Sequence, residues 1–291
     1  MRSGLRFARD VLLRLVLVFL AVSLCAFLTL DRPVLRQLYE ATTHFGDYLT
    51  HLGRTWGTLG PTVTAAYARS MVLLVSAITL GLALGVPAGL VAGVKSSTWL
   101  GRLVAAVSNL GILTPSFLWG LAVMVFFVRY LNRYTGVQWI LLRPSEELFD
   151  PRTILAPALT LAARPVAYIA HTTAAAIRDE LAQDYIRTAH SKGLSGWQVL
   201  WGHLWPNAIV TVLAAANASL LFALSSLPVV EFIFSWPGVG LQLLTAILRT
   251  DAPLSALLLV SIGLTFVLTT VAVDLLGQRL DPRLRAEEGM G

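Results

Sequence analysis

The sequence predicts an all-α integral membrane protein with six transmembrane helices. Of its 291 residues, 56% are hydrophobic and 13% are charged, whereas a soluble domain is about 25% charged. The mean hydropathy is +0.71, and long runs of the chain carry almost no charge. A single cysteine excludes an internal disulfide framework and a cysteine metal cluster, so redox chemistry is not expected.

Six apolar runs are each long enough to cross a hydrocarbon layer of roughly 30 Å. In chain order they are Val11–Leu30, Ser70–Val94, Leu103–Val128, Thr153–Ile177, Leu204–Val230 and Ala252–Val273. Only the first and the fourth contain a charge, Arg14 and Arg164. The first run is longer than a signal-peptide core, and Leu24 is too bulky for a lipoprotein cleavage site before Cys25. We therefore expect it to be retained as a span.

The distribution of lysine and arginine orients these spans. With the N-terminus in the cytoplasm, just over half of the 22 basic residues lie inside, on the shorter segments. They are Arg2, Arg6, Arg9, Arg14, Lys95, Arg102, Arg178, Arg187, Lys192, Arg279, Arg283 and Arg285. Both termini are therefore predicted to be cytoplasmic, and the net charge of +6 suits anionic lipid rather than nucleic acid.

Two regions of unequal size follow from these spans. Residues 1–69 hold the first span and an outer loop. Residues 70–291 hold a core of five spans, with a cytoplasmic loop at 178–206 between the fourth and the fifth. We find no internal repeat and no second domain.

The polar stretch Asp184–Pro206 interrupts the apolar pattern and reads as two short helices. Leu181, Tyr185 and Ala189 fall four apart, on one face of the first helix. The charges expected to match its dipole are acidic at the start and basic at the end: Asp179, Glu180, Arg187 and Lys192. Helices of this length are marginal alone, so contacts with a partner or with the rest of the protein must hold them.

The second helix of this stretch has its own start signals. Gly193 stands where a left-handed residue would end the first helix. Ser195 and Gln198 have the spacing of a capping box, with Leu194 and Val199 as the hydrophobic staple around it. The second helix should therefore begin at about Gly196, and Pro206 should end it or start the next helix.

Three blocks of the sequence resemble a known family. YIRTAHSKGLSGWQVLWGHLWPNA, at Tyr185–Ala208, resembles the EAA loop of ABC importer permeases, and in particular the dipeptide, oligopeptide and nickel permeases. VVEFIFSWPGVG, at Val229–Gly240, and VDLLGQRLDPRLR, at Val273–Arg285, resemble segments around the last span of that family. The general motif has glutamate at the position of Arg187, and arginine there is typical of the peptide and nickel branch. Asp31–Arg69 departs from the family pattern.

The resemblance implies the type I ABC importer permease fold, with cytoplasmic EAA coupling helices that dock on an ATPase subunit. The residues it places in this coupling role are Arg187, Thr188, Ala189, Lys192, Gly193, His203 and Pro206. It also implies the partners: a homologous second permease, two ABC ATPase subunits, an extracytoplasmic binding protein and the lipid of the inner membrane. The alternative for this loop is an ordinary cytoplasmic hairpin without a partner.

The chain contains no nucleotide site of its own, since the lysine of Gly89–Ser96 does not directly follow the second glycine. We therefore expect a transport subunit rather than an enzyme, without a cofactor, and with ATP and Mg bound by the partner subunits. A secondary transporter or channel driven by an ion gradient is the alternative. It predicts acidic residues deep in the spans, where only Asp274 lies. The five histidines have no metal-site spacing.

A charge inside a span is a functional candidate because its insertion is costly. Arg164 and Asp274 lie at similar depths, so Arg164 either pairs with Asp274 or meets a carboxylate of the substrate. Snorkelling or a buried backbone contact is the alternative for Arg164. Other candidates for the translocation path are Asn217, Ser225 and Ser226, which could instead bind neighbouring helices together.

The segment after span five is expected at the outer face. Pro237 and Gly238 force a turn, and Phe232, Phe234 and Trp236 suit a membrane interface. The aromatic anchor is one interpretation. The resemblance implies another, a re-entrant outer gate formed by Phe234, Trp236, Pro237 and Gly238. The branch suggests small peptides as substrate, with nickel complexes, opines and glycosides also open.

Overall fold

The computed structural model describes residues 34–136, 150–249, 251, 254–255, 257–259 and 261–267. Side chains are described at residue 57 and from residue 59 onward within these ranges. The described backbone is helical apart from short connections, which confirms the all-α class. The first predicted span, Val11–Leu30, lies outside the described residues, as does part of the last, Ala252–Val273.

Eight helices make up the described part of the chain. They are α1 (Val34–Val94), α2 (Trp99–Leu113), α3 (Ser116–Thr135), α4 (Pro151–Leu181), α5 (Asp184–Ser191), α6 (Gly196–Ile233), α7 (Val239–Leu248) and α8 (Leu257–Val267). Three stretches are long and apolar enough to cross a membrane: Leu59–Val94, α4 and α6. The pair α2 and α3 would make a fourth span if the two bent helices are taken together.

The span predicted at Leu103–Val128 is not one straight helix. It is divided between α2 and α3, whose axes differ by 112°. Thr114 and Pro115 have extended backbones, with ψ of 124° and 145°. A proline has no N–H to donate and disfavours the helical conformation of the residue before it. The prediction counted charges only and therefore missed this break.

Helix α1 is longer than the second predicted span. It begins at Val34 and continues to Val94, so residues 34–69, expected to form an outer loop, are helical. The charge at Arg69 lies directly before the start of the apolar run. The helix does not start there, because backbone hydrogen bonds within a helix persist in water as well as in lipid.

Four glycines bring α1 into close contact with α4. They lie four residues apart, at Gly81, Gly85, Gly89 and Gly93. A β-carbon on Gly89 would lie 2.5 Å from the Cβ of Thr173, and one on Gly93 would lie 2.8 Å from the Cβ of Ile177. Small residues at this spacing allow helix backbones to approach closely in membranes. We call this contact the glycine ridge.

The glycine ridge also gives the direction of the helices. Gly81 faces Pro165 while Gly93 faces Ile177, so α1 and α4 run parallel. On another side of α4, the side chain of Arg164 contacts Phe222 of α6. The C-terminal end of α4 packs against the first residues of α6. Helices α4 and α6 therefore run antiparallel, which is the relative direction that alternating spans require.

Helix α4 occupies the centre of the bundle. A β-carbon on Gly111 of α2 would lie 2.5 Å from the Cβ of Ala167, and one on Gly120 of α3 would lie 3.5 Å from the Cγ2 of Thr160. Together with α1 and α6, these helices leave little of α4 exposed. The main core is formed where α1, α3, α4 and α6 meet. A smaller cluster joins α1 to α7 and the residues around Leu258.

We predict that Gly89→Ala destabilises the protein. The added methyl group would collide with Thr173 and with the backbone oxygen of Ala170, 2.6 Å away, and overpacking of this kind costs about 1–3 kcal/mol. The matched control is Gly57→Ala, on the same helix, where a β-carbon has nothing within 4 Å. Thermal unfolding of the detergent-solubilised protein measures both, and an unfolding temperature for Gly89→Ala at or above that of the wild type would contradict the glycine ridge.

Candidate functional site

Helix α5 lies at the end of the bundle where α1 and α4 finish and α6 begins. Its inner face carries Ile186 and Ala189, both buried against Ile177 of α4 and Val199 and Leu204 of α6. Its outer face is polar and exposed: Asp184, Arg187, Thr188, Ser191 and Lys192. The loop is therefore anchored by apolar contacts and presents its charged side to the outside of the bundle.

The first helix of this loop differs from its prediction in two respects. Asp179 and Glu180 belong to the last turn of α4, which ends at Leu181, so they do not open α5. Helix α5 begins at Asp184, after Gln183 with an extended backbone (ψ 145°). Tyr185 is 39% exposed, because the buried face of α5 is formed by residues 186 and 189. A four-residue spacing alone does not show which face is buried.

The end of α5 has the predicted geometry. Gly193 has φ +81°, the left-handed conformation that the sequence indicates. Its N–H donates to the carbonyl of His190, and the N–H of Leu194 donates to the carbonyl of Ala189. These two bonds form a Schellman motif. The motif ends α5 sharply and turns the chain toward α6.

The start of α6 is also as predicted. The Ser195 N–H donates to Gln198 Oε1 over 2.8 Å, and the Gln198 N–H donates to Ser195 Oγ, so the capping box is complete. Leu194 packs against the cluster that contains Val199. The helix begins at Gly196, in agreement with the sequence.

Pro206 lies in the first turn of the α-helical stretch Trp205–Ile233, which agrees with the prediction that it starts a helix, although no break separates this stretch from the one before it. Helix α6 continues from Gly196 to Ile233 through a π-helical turn at Leu200–Leu204. The N–H of Trp205 donates to the carbonyl of Leu200, five residues back. The wider turn accommodates a proline, which has no N–H for the ordinary helical bond. His203 is half-buried in this turn, with its ring 6.4 Å from that of Tyr185.

Sequence reasoning missed the exposed tryptophans beside this loop. Trp197, Trp201 and Trp205 recur every four residues, and neighbouring rings meet edge-on at 5.4 and 5.9 Å. Trp197 is 69% exposed. Their four-residue spacing in the sequence was the available signal.

The opposite end of the bundle contains the segment that follows α6. Phe234, Trp236 and Gly238 are buried, Pro237 is half-buried and Phe232 is exposed. The Trp236 indole donates to the carbonyl of Arg69 on α1 over 3.2 Å. The aromatic side chains at 234 and 236 are therefore packed inside the protein, which does not fit the interpretation as an interfacial anchor.

Glu231 holds this segment, and sequence reasoning did not identify it. Its carboxylate is fully buried and accepts three hydrogen bonds. Ser70 Oγ donates to Oε1 at 2.5 Å, while the N–H groups of Gly240 and Leu241 donate to Oε2 at 2.7 and 3.0 Å. The Ser70 hydroxyl in turn accepts from the Val239 N–H. We call this set of bonds the Glu231 latch.

The Glu231 latch joins three helices at one point. Ser70 belongs to α1, Glu231 to α6, and the backbone donors to the first turn of α7. A β-carbon on Gly238 would lie 2.1 Å from Glu231 Oε1, so only glycine fits there. An acidic residue directly after a long charge-free run was the signal in the sequence, and it lay one residue beyond the predicted span.

Arg164 is half-buried between α4 and α6. Its guanidinium lies over the ring of Phe222, 4.6 Å from the centroid, and Tyr168 packs edge-on against the same ring. Its buried Nε has no hydrogen-bond partner in the described part of the chain. Asp274, the partner predicted for it, lies outside the described residues.

The other predicted path residues divide between two faces of α6. Ser225 and Ser226 lie about one turn from Phe222 and therefore on the side of Arg164. Asn217 precedes Phe222 by five residues, which places it roughly 140° around the helix. Ser225 is exposed and Ser226 is buried. Helix geometry thus puts the two serines on the face of α6 that carries Phe222 and puts Asn217 on another face.

Among the residues that the structure describes, no group of three or more metal-ligating side chains is close enough to hold an ion.

The sequence has relatives of known class. Residues 85–286 match the family described as "Binding-protein-dependent transport system inner membrane component". A probable D,D-dipeptide transport system permease of Escherichia coli K12 is 31% identical, with 88% of this chain and 82% of that protein covered. A di/tripeptide transport system permease of Pseudomonas aeruginosa is 30% identical, with 89% and 83% covered.

A solved structure shares the fold. An inward-facing MetNI methionine ABC transporter aligns with a TM-score of 0.58 over 77% of this chain and 98% of that chain, at 15% identity. This chain belongs to the family of binding-protein-dependent transport system inner membrane components, in its dipeptide and oligopeptide branch. The resemblance read from the loop is confirmed, and the alternative of an ion-gradient-driven transporter is wrong.

We predict that Glu231→Ala destabilises the protein strongly. The substitution leaves the Ser70 hydroxyl and two buried N–H groups without an acceptor, and each unsatisfied buried group costs about 1–3 kcal/mol. The matched control is Ser108→Ala, since the buried Ser108 hydroxyl donates only within its own helix, to the carbonyl of Val104. Thermal unfolding in detergent measures the stability of both variants. Equal unfolding temperatures would show that the Glu231 latch contributes nothing to the stability of the protein.

Proposed function

We propose that this permease imports small peptides through a bacterial inner membrane, with energy from partner ATPase subunits. The observation that carries the proposal is the arrangement of the loop Asp184–Pro206: an apolar inner face fixed to three long helices and a polar outer face that none of the described elements covers. The named functions of the relatives, D,D-dipeptide and di/tripeptide transport, support peptides as the substrate.

In this proposal the outer face of α5 and the turn after it dock on an ATPase subunit. Arg187, Thr188 and Lys192 supply exposed polar contacts. The ion pair of Arg187 with Asp184 is 3.5 Å long and solvent-exposed, so it contributes little and leaves the arginine available. Gly193 shapes the turn, Ala189 is buried beneath it and His203 is half-buried, while Pro206 is exposed in the turn that follows. Trp197 and Trp201 extend the surface with exposed aromatic rings.

The assembly that fits this role contains a homologous second permease, two ABC ATPase subunits that bind ATP and Mg, and an extracytoplasmic binding protein. Residues 1–69 would add the first span, and residues 70–291 would form the core of five spans with the loop at 178–206. Six spans would put both termini on the same side of the membrane, and the distribution of basic residues favours the cytoplasm for both. Alternating access would come from rigid-body rocking of the helices as ATP binds and is hydrolysed.

Arg164 is proposed to face the translocation path. A guanidinium offers several N–H donors, and it binds carboxylates with charge-assisted hydrogen bonds. Phe222 supports one face of the guanidinium, and Ser225 and Ser226 lie on the same side of α6. A peptide carries a C-terminal carboxylate, so this group is a suitable partner for Arg164 during passage. Asn217 and Asp274 remain proposed path residues on the resemblance and the sequence alone.

Phe234, Trp236, Pro237 and Gly238 are proposed as the outer gate. The support is their position at the end of the bundle opposite the loop, and their attachment to α1 through Trp236 and through the Glu231 latch. A binding protein docked there would meet a segment that is already held in one conformation.

We predict that Gly193→Pro abolishes co-purification with the ATPase subunits while the protein still reaches the membrane. Proline fixes φ near −65°, and the turn requires +81°. The matched variant is Gly193→Asn, because asparagine tolerates the left-handed conformation, and it should retain the ATPase. The measurement is affinity purification from solubilised membranes. Normal recovery of the ATPase with the proline variant would refute the docking role.

We predict that Arg164→Leu reduces uptake of a radiolabelled dipeptide by roughly 10- to 100-fold, since a hydrogen bond to a charged group contributes about 1.5–3 kcal/mol. ATPase association should be unchanged, because Arg164 lies far from α5 along α4. Exchange of the two charges, Arg164→Asp with Asp274→Arg, tests the pairing with Asp274 directly. Unchanged uptake by Arg164→Leu would rule out a path role.

A further inference from the structure

Tyr185 connects the loop helix to two of the long helices. Its hydroxyl donates to Glu180 Oε2 in the last turn of α4, and it accepts from Asn207 Nδ2 of α6 over 3.0 Å. The Asn207 amide also donates to the carbonyl of His203, 3.1 Å away in the π-helical turn. One phenol group therefore bridges the end of α4 and the beginning of α6.

The other polar side chains of α5 bond only within α5. Thr188 Oγ1 donates to the carbonyl of Asp184, Ser191 Oγ donates to the carbonyls of Arg187 and Thr188, and Arg187 pairs with Asp184. In the described part of the chain, Tyr185 is thus the α5 residue whose side chain forms hydrogen bonds to the neighbouring long helices.

The remaining attachment of α5 is apolar. Ile186 and Ala189 pack into the cluster with Ile177, Val199 and Leu204. Apolar contacts are non-directional: they keep the inner face of α5 against the bundle, but they do not tie α5 to a particular group on α4 or α6. Hydrogen bonds are directional and weaken steeply when misaligned, and a bond to a carboxylate is stronger than a neutral one. The Tyr185 bridge therefore adds a directional link from α5 to both α4 and α6.

Tyr185 remains a hydrogen-bond donor over the physiological range. Partial burial, together with the hydrogen bond to the Glu180 carboxylate, raises the pKa of its phenol above the usual value. Its ring also lies 6.4 Å from the ring of His203, which limits how far the side chain can turn away.

We propose that Tyr185 is the positioning residue that transmits movement of α5 to α4 and α6 together. When an ATPase subunit displaces α5, the phenol moves the end of α4 through Glu180 and the start of α6 through Asn207. Helices α4 and α6, between which the Arg164 side chain lies, would then move together. This inference rests on the proposed docking of α5, and it adds the residue that converts docking into movement of the spans.

The experiment uses the complete complex, purified with its ATPase subunits, in a Cys25→Ser background. Ser225→Cys places a thiol on the exposed side of α6, and its rate of modification by a maleimide is measured without nucleotide and with ATP plus vanadate. With Tyr185 present, nucleotide should change this rate. With Tyr185→Phe, which keeps the ring, the change should be smaller by about tenfold, the factor that corresponds to a hydrogen bond to a charged group at the weak end of its range.

The control variant is Thr172→Val, which removes a hydroxyl that bonds only within α4, to the carbonyl of Tyr168, and it should respond like the wild type. ATPase co-purification and ATP hydrolysis should be unchanged in Tyr185→Phe, since a merely structural defect would reduce them as well. If no ATPase co-purifies even with Tyr185 present, the proposed function itself fails. If the nucleotide response is the same with phenylalanine, or absent with tyrosine, the inference about Tyr185 is overturned.

Discussion

The close contact between α1 and α4 at the glycine ridge is the constraint on which the rest of the bundle depends. Four glycines in register let the two backbones touch along about three turns, and any larger residue would force the helices apart. Because α4 also contacts α2, α3 and α6, its position relative to α1 determines where every other described helix can lie.

The two ends are held by different kinds of interaction, and this difference suits their roles. At one end, the Glu231 latch fixes the segment after α6 to α1 with buried hydrogen bonds, which break only at considerable cost. At the other end, α5 rests on an apolar cluster with one polar bridge at Tyr185. The latch favours a defined outer segment, whereas the loop end allows displacement by a partner. Helices α4 and α6 reach both ends and can carry movement between them.

Local signals in the sequence predicted local structure well. Gly193, Ser195 and Gln198 occupy the geometry expected of them because a left-handed turn and a capping box are determined by a few neighbouring residues. Predictions that depend on the whole bundle were less successful. Charge counting missed the bend at Pro115 and the extension of α1, and the four-residue spacing put Tyr185 on the same face as Ala189, whereas Ala189 is buried and Tyr185 is exposed. The role of Glu231 depends on Ser70, 161 positions earlier, and no local pattern contains that contact.

The central claim is that the polar face of α5 is the surface that meets the ATPase. A photoreactive amino acid at position 187, on that face, tests it most directly, with position 134 of α3, 82% exposed in the wild-type protein, as the reference site. After illumination of membranes that contain the whole transporter, we expect an adduct with the ATPase subunit from position 187 and none from position 134. An adduct from 134 together with none from 187 would contradict the account.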